Sequence, residues 1–249
     1  MSVVGRTILV TGASAGLGEA IVHALAEAGA RVVAVARRID RLEKLESRWP
    51  AQIYAAAADV RDYASIRSAA EQGAARFGGI DGVIANAAVT TATDVATGDP
   101  VLWEDVLRTN LLGSLHTVRA SLPHFPATGP RDVVLVGSTV TRTAIADLTV
   151  YSASKGGLDS AFSSMRLSLT PRGIRCCLLL PGRMESELVD HIRSDARIDV
   201  GNADRTAHYG TFTPMDPAAA AAATVHVLAQ PENVTIEELV IRPFGQLAP

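Results

Sequence analysis

Seven short apolar runs, each separated from the next by a longer segment, constrain this chain more than any other feature. They are Thr7–Val10, Arg31–Ala36, Ile53–Ala58, Gly82–Ala85, Asp132–Val136, Ile174–Leu180 and Glu238–Ile241. Near-continuous apolarity, without polar alternation, is the pattern of strands buried on both faces, as in a parallel sheet covered by helices. The segments between them have helical period. Glu19–Ala28 places Ile21, Leu25 and Ala28 on one stripe, with Gly29 where a helix stops. Asp62 stands where it can cap a helix ending near Phe77–Gly78, and Pro100 opens one expected to run through Leu122. Two more are expected from Tyr151 to Pro171 and over Pro217–Leu228. Strand and helix in alternation predict an α/β fold: a doubly wound, Rossmann-like, parallel seven-stranded sheet with helices on both faces.

The 249 residues contain no repeat and no Pro/Gly/Ser linker, so residues 1–249 are read as a single domain. With 48% hydrophobic and 20% charged residues, the chain can bury a large core. A net charge of −3 without any Lys/Arg stripe argues against a nucleic-acid partner. No apolar stretch approaches the ~18 residues of a membrane span, and no targeting segment is recognisable, so a cytoplasmic protein without a membrane partner is expected. Cys176 and Cys177 are adjacent, which in a strand sends them to opposite faces and disfavours a disulfide. The six histidines lack metal-ligand spacing, so no metal is expected. Residues 183–214 are polar and weakly periodic and follow the sixth strand. They read either as a substrate lid or as an exposed excursion.

The first strand runs into Thr11-Gly12-Ala13-Ser14-Ala15-Gly16-Leu17-Gly18 and then a helix. Glycines at such a turn let the backbone approach a pyrophosphate, whose charge the amides and dipole of the helix N-terminus stabilise. Tyr151 and Lys155 lie four apart at the start of a helical segment, hence on one face, where both reach one ligand. Asp59-Val60, Asn86-Ala87, Ser138 and Pro181-Gly182 fall at successive strand ends, where an α/β sheet gathers its site.

This order of motifs, TGxxxGxG to YxxxK, resembles the short-chain dehydrogenase/reductase family along the whole chain. The resemblance implies an oxidoreductase that transfers a hydride between a nicotinamide and a carbonyl or secondary alcohol of a small or medium organic substrate. In it Tyr151 exchanges a proton with the substrate oxygen, Ser138 hydrogen-bonds that oxygen, and Lys155 holds the nicotinamide ribose. An ammonium and an oxidised nicotinamide beside Tyr151 are expected to lower its pKa. Asn110 is expected to bend its helix and to join a water-linked proton relay to Lys155. Gly12, Ser14, Ala15, Gly16, Leu17 and Gly18 would cradle the phosphates, with Asp59 and Val60 bordering the adenine. Asn86 and Ala87 would line the adenosine ribose side, and Pro181, Gly182, Met184 and Ser186 the nicotinamide end. The family also implies a homotetramer. The substrate is not legible, because the segments facing it, Thr139–Thr149 and Arg183–Phe212, are chemically mixed.

The end of the second strand addresses which dinucleotide is used. An acid there accepts hydrogen bonds from the ribose hydroxyls of NAD and repels the extra phosphate of NADP. This chain has Ala36 in that place, followed by Arg37 and Arg38, so NADP(H) is expected in preference to NAD(H). The competing reading makes both arginines the opening of a solvated helix with Asp40 and Glu43. Two other functions stay open: a regulatory protein that binds the cofactor without turnover, and an isomerase or dehydratase that uses bound nicotinamide.

Overall fold

A computed structural model describes residues 2–91, 95–142, 145, 148–185, 188 and 212–247. Its strands are β1 (Thr7–Thr11), β2 (Arg31–Ala36), β3 (Ile53–Ala57), β4 (Gly82–Ala85), β5 (Asp132–Val136), β6 (Arg175–Pro181) and β7 (Glu238–Ile241). They form one sheet in the order β3-β2-β1-β4-β5-β6-β7, with every neighbouring pair parallel. All seven expected strands are present. The order reverses between β1 and β4, and this is the point at which a doubly wound sheet opens a crevice at its carboxyl edge.

The strand sequences split their side chains between two cores. Ile8 and Val10 of β1 join the cluster beneath α1 (Gly16–Glu27), α2 (Ile39–Arg48) and α7 (Pro217–Leu228), whereas Leu9 joins the opposite one. That second cluster lies under α3 (Tyr63–Phe77), α5 (Gly113–Ser121) and α6 (Thr149–Leu169). Cys177 and Cys176 divide between the clusters in the same way. Both thiols are free, and burial pushes each up to about 12, so they act as small apolar side chains.

Short polar signals set the helix starts. Asp62, Asp99 and Asp216 accept from Ala64, Val101 and Ala218 N–H at 2.9, 2.9 and 2.8 Å, with proline following at Pro100 and Pro217. The expected single helix from Pro100 to Leu122 is instead α4 (Pro100–Leu107), a π-helical turn at Arg108–Leu112, and α5. One extra residue in that turn lets the two halves face different partners: α4 packs on α6, and α5 packs on α3 and β4.

At the amino edge of the sheet, Asp132 is buried between two arginines. Arg6 Nη2 lies 2.5 Å from Asp132 Oδ2, and Arg175 Nε and Nη2 donate to Oδ1 and Oδ2 at 2.8 and 2.9 Å. Arg175 Nη1 and Nη2 also meet carbonyls of Leu228, Gln230 and Pro231, so Arg175 ties this edge of the sheet to the segment after α7. A surface cavity of about 320 Å³ lined by Gly129, Arg131, Arg175 and Glu232 opens at the same edge, away from every expected site residue.

Candidate functional site

The glycine turn is built by β1 and locked from β4. Thr11 Oγ1 accepts from the Asn86 and Ala87 amides at 3.2 and 3.3 Å, and Asn86 Nδ2 donates to the Thr11 carbonyl at 2.9 Å. Gly12 has φ +69°, a left-handed conformation, and a Cβ there would sit 2.9 Å from Ala87 Cα. A Cβ on Gly18 would run into the Gly12 carbonyl oxygen. These close approaches leave a concave backbone surface at the start of α1. Helix α1 differs from α3, α4 and α7 in having Ala15 at its N-cap and no side-chain cap. An uncapped helix start beside a left-handed glycine turn suits an anionic phosphate group, and a dinucleotide fits here.

Two arginines converge on the same turn, and exposed Arg37 precedes them in the chain. Arg38 Nε and Nη2 donate to Ser14 Oγ at 3.1 and 3.0 Å, and Arg41 Nη1 donates to the Ser14 carbonyl at 3.3 Å. Arg41 was not singled out from the sequence. Its signal is helical spacing, since it lies three residues after Arg38 on the first turn of α2 and therefore on the same face. Ala36 is buried at the end of β2, where no carboxylate can reach a ribose.

Asp59 turns its carboxylate on Arg61, with Nε at 3.1 and 3.0 Å from the two oxygens and Nη2 at 2.7 Å from Oδ2. Arg61 Nη1 also donates to Asp105 of α4 at 2.9 Å. The hydrogen bonds from Arg61 hold the Asp59 carboxyl below its usual range, with a smaller contribution from the charge of Arg37. Val60 is buried, and its carbonyl lies 2.9 Å from His116 Nδ1.

The acid–base group gathers between β5 and α6. Ser138 follows β5; its hydroxyl lies close enough to the Tyr151 phenol to act on its pKa, and Val140 N–H donates to it at 3.3 Å. Lys155, one turn after Tyr151, is only 2% exposed, and its Nζ donates to the Val136 carbonyl at 2.7 Å. Burial pushes the Lys155 ammonium down to about 8. Burial raises the Tyr151 phenol above its ordinary 10.0, and the Ser138 hydrogen bond acts in the opposite direction. In the protein alone, therefore, Tyr151 is a protonated phenol. Without a nicotinamide, burial is the largest influence on the Tyr151 phenol, and Lys155 Nζ, 6.0 Å from the Tyr151 ring centroid, is turned to Val136.

Asn110 sits in the π-helical turn, fully buried. Its Oδ1 accepts from Val89 N–H at 2.8 Å, and its Nδ2 donates to the Val89 carbonyl and Ser154 Oγ at 2.9 and 3.0 Å. Ser154 Oγ passes the chain on to the Tyr151 carbonyl at 2.7 Å. The helix is interrupted here by the π-helical turn, and the Asn110 side chain works as a clasp joining the segment after β4 to the Tyr151 helix. Pro181 and Gly182 leave β6 beside this group, with Thr139 Oγ1 3.4 Å from the Pro181 carbonyl. Met184 pairs with Met215 and packs on the core beneath α1 and α7. Ser186 and most of the expected lid over 183–214 lie outside the described residues.

A sheet whose order reverses beside a phosphate cradle, with a half-buried Tyr151 and a buried Lys155 across the crevice, is the architecture of a dinucleotide-dependent oxidoreductase. The model of the short chain dehydrogenase family matches residues 6–197, and the chain belongs to that family. It is 27% identical to an uncharacterized oxidoreductase of Listeria innocua over 251 residues, covering 99% of each. It is 30% identical over 245 residues to the glycine betaine reductase ATRR of Emericella nidulans; the match takes in 96% of this chain and 19% of that much longer protein. The alcohol dehydrogenase from the archaeon Thermococcus sibiricus, solved in complex with 5-hydroxy-NADP, superposes with a TM-score of 0.82 at 25% identity, covering 98% of this chain and 99% of that one. Among the described residues no helix is long and apolar enough to cross a membrane, and no group of three or more His, Cys, Asp and Glu is placed to hold a metal.

Proposed function

We propose that this protein interconverts a carbonyl and a secondary alcohol on a small or medium organic substrate, with NADP(H) as the hydride carrier. The observation that carries the reading is Ser138 beside Tyr151, with Lys155 buried one helical turn away, all facing the same crevice edge as the glycine cradle. A bound nicotinamide supplies or accepts the hydride at carbon. Tyr151, a phenol held protonated by burial, gives its proton to the oxygen that becomes negative as the carbonyl is reduced. The Ser138 hydroxyl hydrogen-bonds the same oxygen and orients it. Lys155 brings a positive charge that favours the phenolate left behind, and it holds the nicotinamide ribose. Asn110 keeps Val89 and the start of α6 in register, and its proton relay to Lys155 belongs to this proposal.

Support for NADP(H) comes from Ala36 in place of an acid, from Arg38 and Arg41 on Ser14, and from the exposed Arg37 that follows Ala36. The NADP analogue in the archaeal relative is in keeping with it. A charge-assisted bond to the extra phosphate, worth roughly 1.5–3 kcal/mol, gives at least a tenfold preference for NADPH in kcat/KM. Initial rates on a panel of ketones and alcohols, with NADPH and NADH, test both halves. Arg37→Asp is expected to erase or reverse the preference; a wild type that favours NADH, or an unchanged ratio in the variant, refutes it. A homotetramer is proposed as well, supported by exposed Val101, Leu102, Leu107 and Leu112 on and after α4. A monomer mass by sedimentation at micromolar concentration would end that part.

A further inference from the structure

The C-terminal turn after β7 exposes Arg242, Phe244, Gly245 and Leu247 and buries Pro243 and Gln246. Phe244 and Leu247 are 103% and 80% exposed, yet Gln246 between them is 6% exposed. A polar side chain buried in a largely solvated tail needs a partner, and it has one: Gln246 Oε1 accepts from the Arg183 amide at 3.0 Å. The tail is folded to deliver it. Gln246 N–H donates to the Pro243 carbonyl at 3.2 Å across a left-handed Gly245, φ +88°.

The tail meets the turn that leaves β6, whose first residues are read as the nicotinamide end of the site. Gly182 N–H donates to the Ile241 carbonyl at 2.7 Å, and Met215 N–H donates to the Arg183 carbonyl at 3.0 Å. With Gln246 on its amide, Arg183 therefore has both backbone groups pinned. Contact is close enough to fix the sequence: a Cβ on Gly182 would lie 2.6 Å from Gln246 Oε1 and 2.7 Å from Arg242 Cβ. A chain can leave β6 by this path only with glycine there and the tail seated.

We propose that Gln246 is a positioning residue for the nicotinamide half of the dinucleotide site, setting the path of Gly182–Met184 through its hydrogen bond to the Arg183 backbone. The proposal rests on the dinucleotide reading given above. It makes the last turn of the chain a determinant of binding at one end of the ligand and not the other, because the hydrogen bonds of its Gln246 run to Arg183 and Pro243, whereas the glycine cradle is held by Asn86 and Thr11.

The test compares each dinucleotide with its adenosine half, NADPH with 2′,5′-ADP and NADH with AMP, by calorimetric titration of the full-length protein. Gln246→Met keeps the length of the side chain and removes the acceptor. It is expected to weaken dinucleotide binding by about fivefold, the worth of one hydrogen bond, and to leave the adenosine half unchanged. Gln246→Glu keeps an acceptor oxygen and is expected to restore most of the loss. Hydrogen exchange at the Arg183 amide should quicken in Gln246→Met and not in Gln246→Glu. A chain ending at Gly245 should show the same selective loss, so the proposal does not depend on one variant folding. Equal affinities in Gln246→Met and wild type, or equal loss of both ligands, overturns the positioning role alone. A wild type that binds none of the four ligands overturns the dinucleotide reading and the proposal with it.

Discussion

Replacing Lys155 by methionine should change how stability depends on pH, in the protein without nicotinamide. Lys155 is 2% exposed, and burial takes its ammonium from the ordinary 10.5 down to about 8. Below pH 8 both folded and unfolded chains carry the proton, and the folded protein bears the full cost of a desolvated charge. Between pH 8 and 10.5 the unfolded chain still binds a proton that the folded protein has shed, so stability rises with pH across that window. The whole shift corresponds to about 3 kcal/mol, and about 2–3 kcal/mol of it is recovered between pH 7 and 10. The methionine variant cannot titrate at this position. Urea unfolding of wild type and Lys155→Met at pH 7, 8, 9 and 10 isolates the effect, because every other group titrates alike in both. The stability of wild type relative to the variant should climb by that amount over the range. A difference that stays flat would show that Lys155 is solvated or charge-compensated, and the burial argument for its pKa would fail.

Tyr151→Phe should lower turnover by at least about 10³-fold while nicotinamide dinucleotide affinity stays nearly unchanged, since only the proton donor is removed; activity within a few-fold of wild type would take Tyr151 out of the acid role. Asn110→Ala leaves the Val89 amide and carbonyl and the Ser154 hydroxyl without their partner, so it should cost about 3 kcal/mol in urea unfolding. A loss below about 1 kcal/mol would show that the clasp is replaceable. Asp132→Asn strips the negative charge from between Arg6 and Arg175 and should destabilise by about 3 kcal/mol without altering KM for the nicotinamide dinucleotide, because the network lies at the amino edge of the sheet. A rise in KM at unchanged stability would contradict that separation.

What the sequence revealed and what it hid divide along a physical line. Tyr151 and Lys155 were legible because four residues on a helix share a face whatever the rest of the chain does. The glycine turn was legible because left-handed backbone and close approach leave a residue-type signature. The strands were legible because burial on both faces removes polar residues from a run. Arg41 was hidden, although it shares a face with Arg38, because its value depends on α2 being laid against Ser14. Gln246 was hidden for a stronger reason: it reaches Arg183 across 63 residues, through a tail whose composition reads as surface. The rise of the Tyr151 phenol in the protein without nicotinamide was hidden as well, because desolvation depends on the depth of the group, which spacing does not encode.

The turn at Arg108–Leu112 has one further consequence, for how the chain tolerates change. Each residue of an α-helix advances about 100° around its axis, so a single extra residue reorients everything before it relative to everything after it. Val106 of α4 faces inward toward α6, and Val118 of α5 faces inward toward the second core, only because that extra residue is present. The orientation is thus stored in the number of residues and not in their identity. Substitutions between Arg108 and Leu112 change local contacts and leave the two faces where they are. Deleting any one of the five would restore a regular helix and rotate α4 by about 100° about its axis, pointing its exposed Val101 and Leu102 in a new direction. Among homologues, gaps should therefore be rarer in this stretch than variable side chains.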